Sequence, residues 1–535
     1  MIAVEHPGYR FSSPTAAFSI TAAMPREFQV SVIESATVTD HESHASTLVH
    51  GGHGAVMSPA YRAVILAAAV AFVCIQLFIP PILGVADNRD YQRLMTEACI
   101  GPESVARFPY FDYFVPQFIV SGQYCGSIIP SSARIPLILS LGLTRLFLPQ
   151  GHYDLRFLAA VYAVLLLTAL WFFLRRLART APIARELVAA AALLIFFSAV
   201  YIPLLNSFYV DAAAFVFFLW AVILALDVLT AAEVGLLEYL ALALAILLVA
   251  TTKIQHIPLA LCFLPALWLR FARPRFPALW LRLCISGVVV VGSLLFLRAC
   301  LPWNNPISLY NSVFYKLLPA CDNPRAELPK LGLGPEYGQY IGQHAFSEGS
   351  PMGNQDFART FGQKITVPKV FRFLLTHPVA AARALRHDLE EASLERVRMK
   401  IGEREYRLGN YEANSGHAPE SQSAFLTFWS RFKLAIYGGR PGTYLACILA
   451  LVLILWIAAL RQPTRRAEAR AAIGMLTIML PACFVPVFLD AVDTGRHLFL
   501  FNCMLDIGAC ALLWLVLRWW RERRPASRGA SLRTV

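Results

Sequence analysis

Long apolar runs separated by polar turns organise this chain. They fall near 61–83, 155–174, 186–205, 211–229, 235–252, 257–271, 281–301, 443–460, 471–489 and 498–517. Most approach the ~20 residues that a helix needs to cross the hydrocarbon core. In lipid, such a segment satisfies its own backbone only as a helix. The pattern therefore predicts an all-α polytopic membrane protein with about ten transmembrane helices. A weaker run at 135–148, edged by Arg134 and Pro149 and containing Pro136 and Arg145, reads as a helix lying on the membrane surface. Two polar stretches are long enough to fold, 86–154 and 302–442. The second holds a Pro- and Gly-rich section at 319–353 and a helical pattern at about 379–399 that suits a surface helix.

Composition agrees with this pattern. The chain is 57% hydrophobic and 15% charged, with a mean hydropathy of +0.55, a balance that excludes an ordinary soluble domain. The net charge of +13 is not a nucleic-acid footprint, because the arginines gather between apolar runs and no nucleic-acid motif accompanies them. Arg175, Arg176, Arg179 and Arg185 follow the second run. Arg270, Arg273, Arg275 and Arg282 lie between the sixth and seventh, and Arg461, Arg465, Arg466 and Arg470 between the eighth and ninth. Arg518, Arg521, Arg523, Arg524 and Arg528 follow the tenth. Basic loops mark the cytoplasmic side. Ten spans with a cytoplasmic N-terminus put every cluster inside, whereas a crossing by 135–148 would put all of them outside.

The expected organisation follows. Residues 1–58 form a disordered cytoplasmic tail without a signal-peptide pattern, and Met24 or Met57 suits a start. Residues 59–301 form an N-terminal transmembrane domain with a first extracytoplasmic loop at 86–154. Residues 302–442 are a large extracytoplasmic loop domain, 443–518 are C-terminal transmembrane helices, and 519–535 are a basic cytoplasmic tail. The expected location is the bacterial cytoplasmic membrane, multi-pass, with both termini cytoplasmic. Of eleven cysteines, most lie in apolar runs, where a thiol behaves as a small hydrophobe. Cys99 and Cys125 share the first polar loop and are placed to pair if that loop is extracytoplasmic.

Four polar turns on the expected outer face carry the candidate chemistry. Asp87 and Asp90, in ADNRDYQRLM, follow the first apolar run, with Arg93 three residues on. A carboxylate there suits a general base or a divalent-cation ligand; the same spacing also suits a helix cap and a first-turn acid. Asn206, Tyr209 and Asp211 crowd the short turn NSFYVDAA, where turn and cap roles are the plainer alternative. Lys253 and His256, with Gln255 between them in TTKIQHIP, put basic residues where cations are depleted. A phosphate would explain them; a snorkelling lysine would too. Asp490, Asp493, Arg496 and His497 share the turn DAVDTGRH. Asp506 then falls near mid-membrane, where an ionisable group is expensive and faces a polar partner.

The strings DNRDYQRLM, NSFYVDAA, TKIQHIPLA, SLYNSVFYKLLP and VDTGRHLFLFN, spread over roughly residues 60–520, resemble the GT-C class of membrane glycosyltransferases, and within it bacterial glycan-biosynthesis hexose transferases. The resemblance implies a GT-C-like fold with two large extracytoplasmic loops. It also implies a polyprenyl-phosphate-linked sugar donor, a glycan or lipid-linked acceptor, contact with membrane lipids and no nucleic acid. By analogy, Asp87 or Asp90 is the catalytic carboxylate. The other named residues of the four turns, namely Arg93, Asn206, Tyr209, Asp211, Lys253, Gln255, His256, Asp493, Arg496 and His497, bind donor or donor phosphate. No cofactor is assigned, and a divalent cation and a simple base remain alternatives. A lipid-linked glycan flippase, or a glycan polymerase or ligase, is the competing reading.

Overall fold

The computed structural model describes residues 57–523, apart from 127–128, 178–181, 231–233, 270–278, 395–398, 402–403, 407, 462–465 and 485–491. The expected tails and Asp490 lie largely or wholly outside these residues.

Each of the ten apolar runs forms helix. The helices are α1 (Pro59–Leu77), α3 (Arg156–Leu177), α4 (Pro182–Phe196), α5 (Val210–Thr230), α6 (Leu236–Ala250), α7 (Leu279–Tyr310), α9 (Pro441–Leu460), α10 (Arg466–Phe484) and α11 (Phe499–Arg523); the tenth run is the apolar segment Ile254–Trp268, made of short helical pieces. The run at 135–148 is also helical, as α2 (Arg134–Phe147), and the polar pattern near 379 gives α8 (Pro378–Ser393). Among the described residues, six helices or helix portions are long and apolar enough to cross a membrane: α1, α3, α5, Leu279–Leu301 of α7, α9, and Phe499–Trp520 of α11. Two shorter apolar segments, Leu236–Ala250 and Ile254–Trp268, accompany them. The chain is thus a mostly helical membrane protein. One buried apolar core runs through α1, α3, α4, α5, α6 and α11.

The strands are short and sit at the polar ends of the helices. They are β1 (Leu83–Val85), β2 (Ile100–Gly101), β3 (Gln117–Val120), β4 (His152–Asp154), β5 (Met399–Ile401), β6 (Arg404–Tyr406) and β7 (Leu408–Tyr411). β2, β3 and β4 form an antiparallel sheet within the 86–154 stretch, closed by the Cys99–Cys125 disulfide. The β1–β7 pairing matters most for the site. Leu83 faces Tyr411 and Gly84 faces Asn410, the Ala86 amide donates to Asn410 Oδ1 at 3.1 Å, and the Ile82 amide donates to Glu412 Oε1 at 3.1 Å. The Phe114 ring lies where a Cβ at Gly84 would have to be, so only glycine fits there. The exit from α1 is thereby fastened by residues more than 300 positions away.

Two expectations are corrected. The apolar run 281–301 does not end its helix: α7 continues to Tyr310 and then into a π-helical turn, Asn311–Leu317. The helix expected over 379–399 stops at Ser393, with strand from Met399. It is not a simple surface helix either, because Ala380, Ala384, Asp388, Leu389, Ala392 and Ser393 are buried, with Leu389 and Ala392 in the main core. Its end is fixed by partners that a periodicity count cannot see: the Gly439 amide donates to Ser393 Oγ at 3.0 Å, and Asn502 Nδ2 donates to the Ala392 carbonyl at 3.1 Å. Between these points, Tyr310, Phe314, Leu331, Phe361 and Phe373 build a second, smaller core.

Candidate functional site

The four polar turns come together. Asp211 lies in the first turn of α5, where the positive end of the helix dipole favours a carboxylate. Asp493, in the left-handed conformation at φ 64°, starts the single helical turn Thr494–His497. That conformation is uncommon for a residue with a Cβ and is tolerated best by Asn and Asp. It turns Arg496 back over the other segments. One guanidinium nitrogen of Arg496 donates to Asp90 Oδ2 at 2.6 Å and lies 3.8 Å from Asp211 Oδ2. Its Nε lies 2.7 Å from Asp493 Oδ2. The guanidinium carbon stands 4.6 Å from the Tyr209 ring centroid, a cation–π distance. One buried arginine therefore gathers acids from three segments. A fork of five donors can do this where an ammonium cannot.

The turn after α1 is held just as closely. Asp87 Oδ1 accepts from the amides of Arg89 at 2.6 Å and Tyr91 at 3.2 Å, and Asn88 Oδ1 accepts from the Asp90 amide at 3.0 Å. These bonds make the side-chain turns that Asp and Asn favour. The Tyr209 hydroxyl donates to the Ala86 carbonyl and accepts from the Asn88 amide, both at 3.0 Å. Asn88 Nδ2 reaches Asp493 Oδ2 at 3.4 Å. Arg93 Nε lies 2.7 Å from Asp90 Oδ1.

Lys253 is placed by the first polar loop. Ser131 Oγ donates to the Thr252 carbonyl at 2.8 Å, and Ser132 Oγ donates to the Leu248 carbonyl at 2.7 Å, which satisfies carbonyls left open at the end of α6. Lys253 is 6% exposed, and its Nζ has no hydrogen-bond partner among the described residues. Arg93 and Lys253 line a small recess with Pro130, Ser131, Phe296 and Cys300. His256 Nδ1 and Thr252 Oγ1 are 2.7 Å apart; Gln255 Nε2 is 3.4 Å from His256 Nε2.

Burial and charge pull these groups apart electrostatically. Burial pushes the Asp87 carboxyl up to about 7, against the two amides that favour its ionised form. Asp90 goes the other way: burial raises it, but Arg93, Arg496 and Lys253 together outweigh burial and hold it well below the usual carboxylate range. Burial lowers Lys253, partly offset by Asp211. Burial, with Lys253 and Arg496 nearby, keeps His497 well below the ordinary imidazole value. The site thus pairs a carboxyl that titrates near neutrality with one that stays ionised, a separation typical of acid–base sites. Among the described residues, no group of three or more His, Cys, Asp or Glu is arranged around a metal position. The acids converge on Arg496 instead.

Asn206 stands apart from this cluster. Its Nδ2 donates to the carbonyls of Leu77 at 3.2 Å and Leu83 at 2.9 Å, tying the α1 exit to the turn before α5. Four further residues emerge from the structure. Asn88 links the first turn to the fourth. Lys316, on the π-helical turn, pairs with buried Asp388 of α8 at 2.7 Å, and Thr494 Oγ1 lies 3.5 Å from Asp388 Oδ1. A sequence signal existed for Lys316, the single cation in SLYNSVFYKLLP; Asp388 is hidden among the charges of RHDLEE.

The family model described as the YfdI N-terminal transmembrane domain matches residues 47–530. Among solved structures, the chain is similar to the Archaeoglobus fulgidus oligosaccharyltransferase tethered through a disulfide to an acceptor peptide containing the NVT sequon. That likeness has 13% identity and a TM-score of 0.37, and covers 87% of this chain and 50% of the other. The chain thus spans about half the length of that neighbour. No curated protein matches. With nine-tenths of its residues inside the family model, the chain belongs to the YfdI N-terminal transmembrane domain family.

Proposed function

We propose that this protein is an integral membrane glycosyltransferase that moves a sugar from a polyprenyl-phosphate donor to a surface-glycan acceptor on the extracytoplasmic side of a bacterial cytoplasmic membrane. One observation carries the reading: acids from three turns close on Arg496, beside a recess that holds the buried ammonium of Lys253. A lipid phosphate would supply the hydrogen-bond acceptor that Lys253 Nζ lacks among the described residues. It would place the sugar at the membrane edge, with the prenyl tail alongside Phe296.

In this reading the acceptor hydroxyl attacks the anomeric carbon and its proton passes to Asp87, whose proton affinity suits a base near neutral pH. The bond from the anomeric carbon to the phosphate oxygen breaks, and the electron pair leaves with the lipid phosphate. Lys253 and Arg93 neutralise that phosphate, since positioned cations at developing charge are worth most in a dry site. Asp90 stays ionised and holds Arg93 and Arg496 in place. Asp211, Tyr209 and Asp493 orient Arg496, while Gln255 and His256 shape the Lys253 turn.

The test is incubation of the purified protein with a panel of polyprenyl-phosphate sugars and acceptor glycans, following release of free lipid phosphate. Release that needs an acceptor and is lost in Asp87→Asn supports the proposal. Folded protein that releases lipid phosphate from no donor, or an Asp87→Asn variant with full activity, overturns it.

A further inference from the structure

Phe428–Tyr437 (FWSRFKLAIY) is a helix of ten residues, ~15 Å long and too short to cross a membrane. One face is buried. Ser430, Lys433 and Tyr437 lie on it, and Trp429 packs against the main core. The adjoining face carries Phe428, Phe432 and Ile436, which are 52%, 55% and 39% exposed. Their spacing of four makes a continuous apolar stripe along the helix. Helix α9, a candidate span, begins at Pro441, four residues after Tyr437.

Two independent contacts set the depth of this segment. Lys433 Nζ donates to Asp506 Oδ1 at 2.7 Å and Trp429 Nε1 donates to the same oxygen at 2.8 Å, while the Tyr201 hydroxyl donates to Asp506 Oδ2 at 2.6 Å. Asp506 is seven residues beyond Phe499, the first residue of α11 (506 − 499 = 7), so Lys433 reaches ~10 Å below that end at 1.5 Å per residue. At the other flank, the Phe425 ring packs edge-on against Phe72, 5.5 Å between centroids, and the Ala199 amide donates to the Phe425 carbonyl at 3.1 Å. Phe72 is five residues before Leu77, the last residue of α1 (77 − 72 = 5), or ~8 Å inside its end. Both helix ends lie on the side of the Asp87 and Arg496 turns. The segment is therefore sunk ~8–10 Å below the rim of the bundle, the depth at which in-plane amphipathic helices rest.

We propose that Phe425–Tyr437 is a re-entrant segment whose Phe428, Phe432 and Ile436 face contacts the acyl chains of the leaflet on which the Asp90–Arg496 cluster opens. This removes the end of the 302–442 stretch from water, where the loop reading had put it. The buried face supplies what lipid cannot: Asp506 and Lys433 neutralise each other within the protein, as polar groups at membrane depth require. Arg431, which is exposed, is long enough to reach phosphate headgroups from this depth. The assignment stands whether or not the cluster transfers a sugar.

A fluorescent non-natural side chain introduced at position 432, in the full chain in lipid nanodiscs, tests this directly. The same probe at position 348, an exposed glutamate of the 302–442 stretch, gives the aqueous response. Lipids with brominated acyl chains should quench most of the emission at 432, and iodide in the buffer should leave it unchanged. Quenching of position 432 by iodide would show that water covers the stripe, and failure of both quenchers there would show a protein partner. Either result overturns the assignment. Position 432 is 55% exposed, and an aromatic probe there keeps the ring contact with Trp429, 5.6 Å between centroids.

Discussion

Replacing Asp87 with Asn separates the electrostatic cost of this carboxyl from its chemistry. Asp87 is 4% exposed, and burial raises its proton affinity from 3.8 to about 7. At ~1.4 kcal/mol per tenfold change in proton affinity, that displacement corresponds to about 4 kcal/mol. The sign follows from which state holds the proton. The unfolded carboxyl ionises near 3.8, whereas the folded one stays protonated until about 7. Between these values the folded state binds more protons, so stability is full below the lower value and is lost as pH rises through the higher one. About 3 kcal/mol of that loss falls between pH 5 and 8.

The asparagine keeps an Oδ1 to accept from the Arg89 and Tyr91 amides, cannot ionise, and so should not show this loss. His497, whose proton affinity is lowered, contributes in the opposite direction: its share of stability is lost as pH falls. The informative quantity is therefore the difference between wild type and Asp87→Asn, not either slope alone. Equilibrium unfolding of the detergent-solubilised protein at pH 5 and pH 8 measures it. The variant's stability relative to wild type should rise by about 3 kcal/mol between pH 5 and pH 8, while transfer falls by roughly 10²–10⁴-fold. Equal pH dependence in the two proteins would refute the burial argument. A stabilised variant with undiminished transfer would refute the base assignment.

Three further outcomes follow from the same geometry. Arg496→Met leaves Asp90, Asp211 and Asp493 without their common cation and should destabilise the fold by about 3–5 kcal/mol, read as folded yield; Arg496→Lys should recover only part of it, because a point charge cannot serve three acids. Lys253→Met removes an ammonium that lacks a hydrogen-bond partner, so unfolding should show unchanged or raised stability while the KM for a lipid-phosphate donor rises. Asp506→Asn or Lys433→Met alone should each cost about 3–5 kcal/mol, and the double variant Lys433→Met with Asp506→Leu should return to near wild-type stability, tested by unfolding of all three. A Lys253 variant that folds poorly, or a double variant no better than its single parents, would contradict these assignments.

The helices were legible because lipid leaves a long apolar segment no alternative: all ten runs are helical in the structure. Their ends were less legible. The run at 281–301 stops being apolar, yet α7 continues to Tyr310, because a helix outside the hydrocarbon needs only packing. The four polar turns stood out as charges in the wrong places. Their pairing did not, since Arg496 and Asp90 are 406 residues apart and no local pattern encodes that distance. Asn206 looked like its neighbours Tyr209 and Asp211 but serves two backbone carbonyls. Amide side chains do this at helix exits as readily as they bind ligands.

Lys433 carried a signal that apolar counting passes over. In FWSRFKLAIY the residues at 428, 432 and 436 form one stripe, and the helical period puts Trp429, Lys433 and Tyr437 on the adjoining face, about 100° round the helix. A lysine facing inward from an amphipathic helix needs a buried acid, and Asp506, expensive at mid-span, needs a cation. Each is improbable alone, and each accounts for the other. The same reasoning extends to the acids around Arg496: four carboxylates so near one another would be untenable in a dry site unless one held its proton and a cation served the rest. The proton affinity of Asp87, near 7, and the three-acid reach of Arg496 are thus one electrostatic solution, and perturbing either should shift the other. Arg496→Lys should move the Asp87 titration, read as the pH dependence of unfolding, upward from wild type, because weaker neutralisation of Asp90 strengthens its repulsion of a second ionised carboxylate.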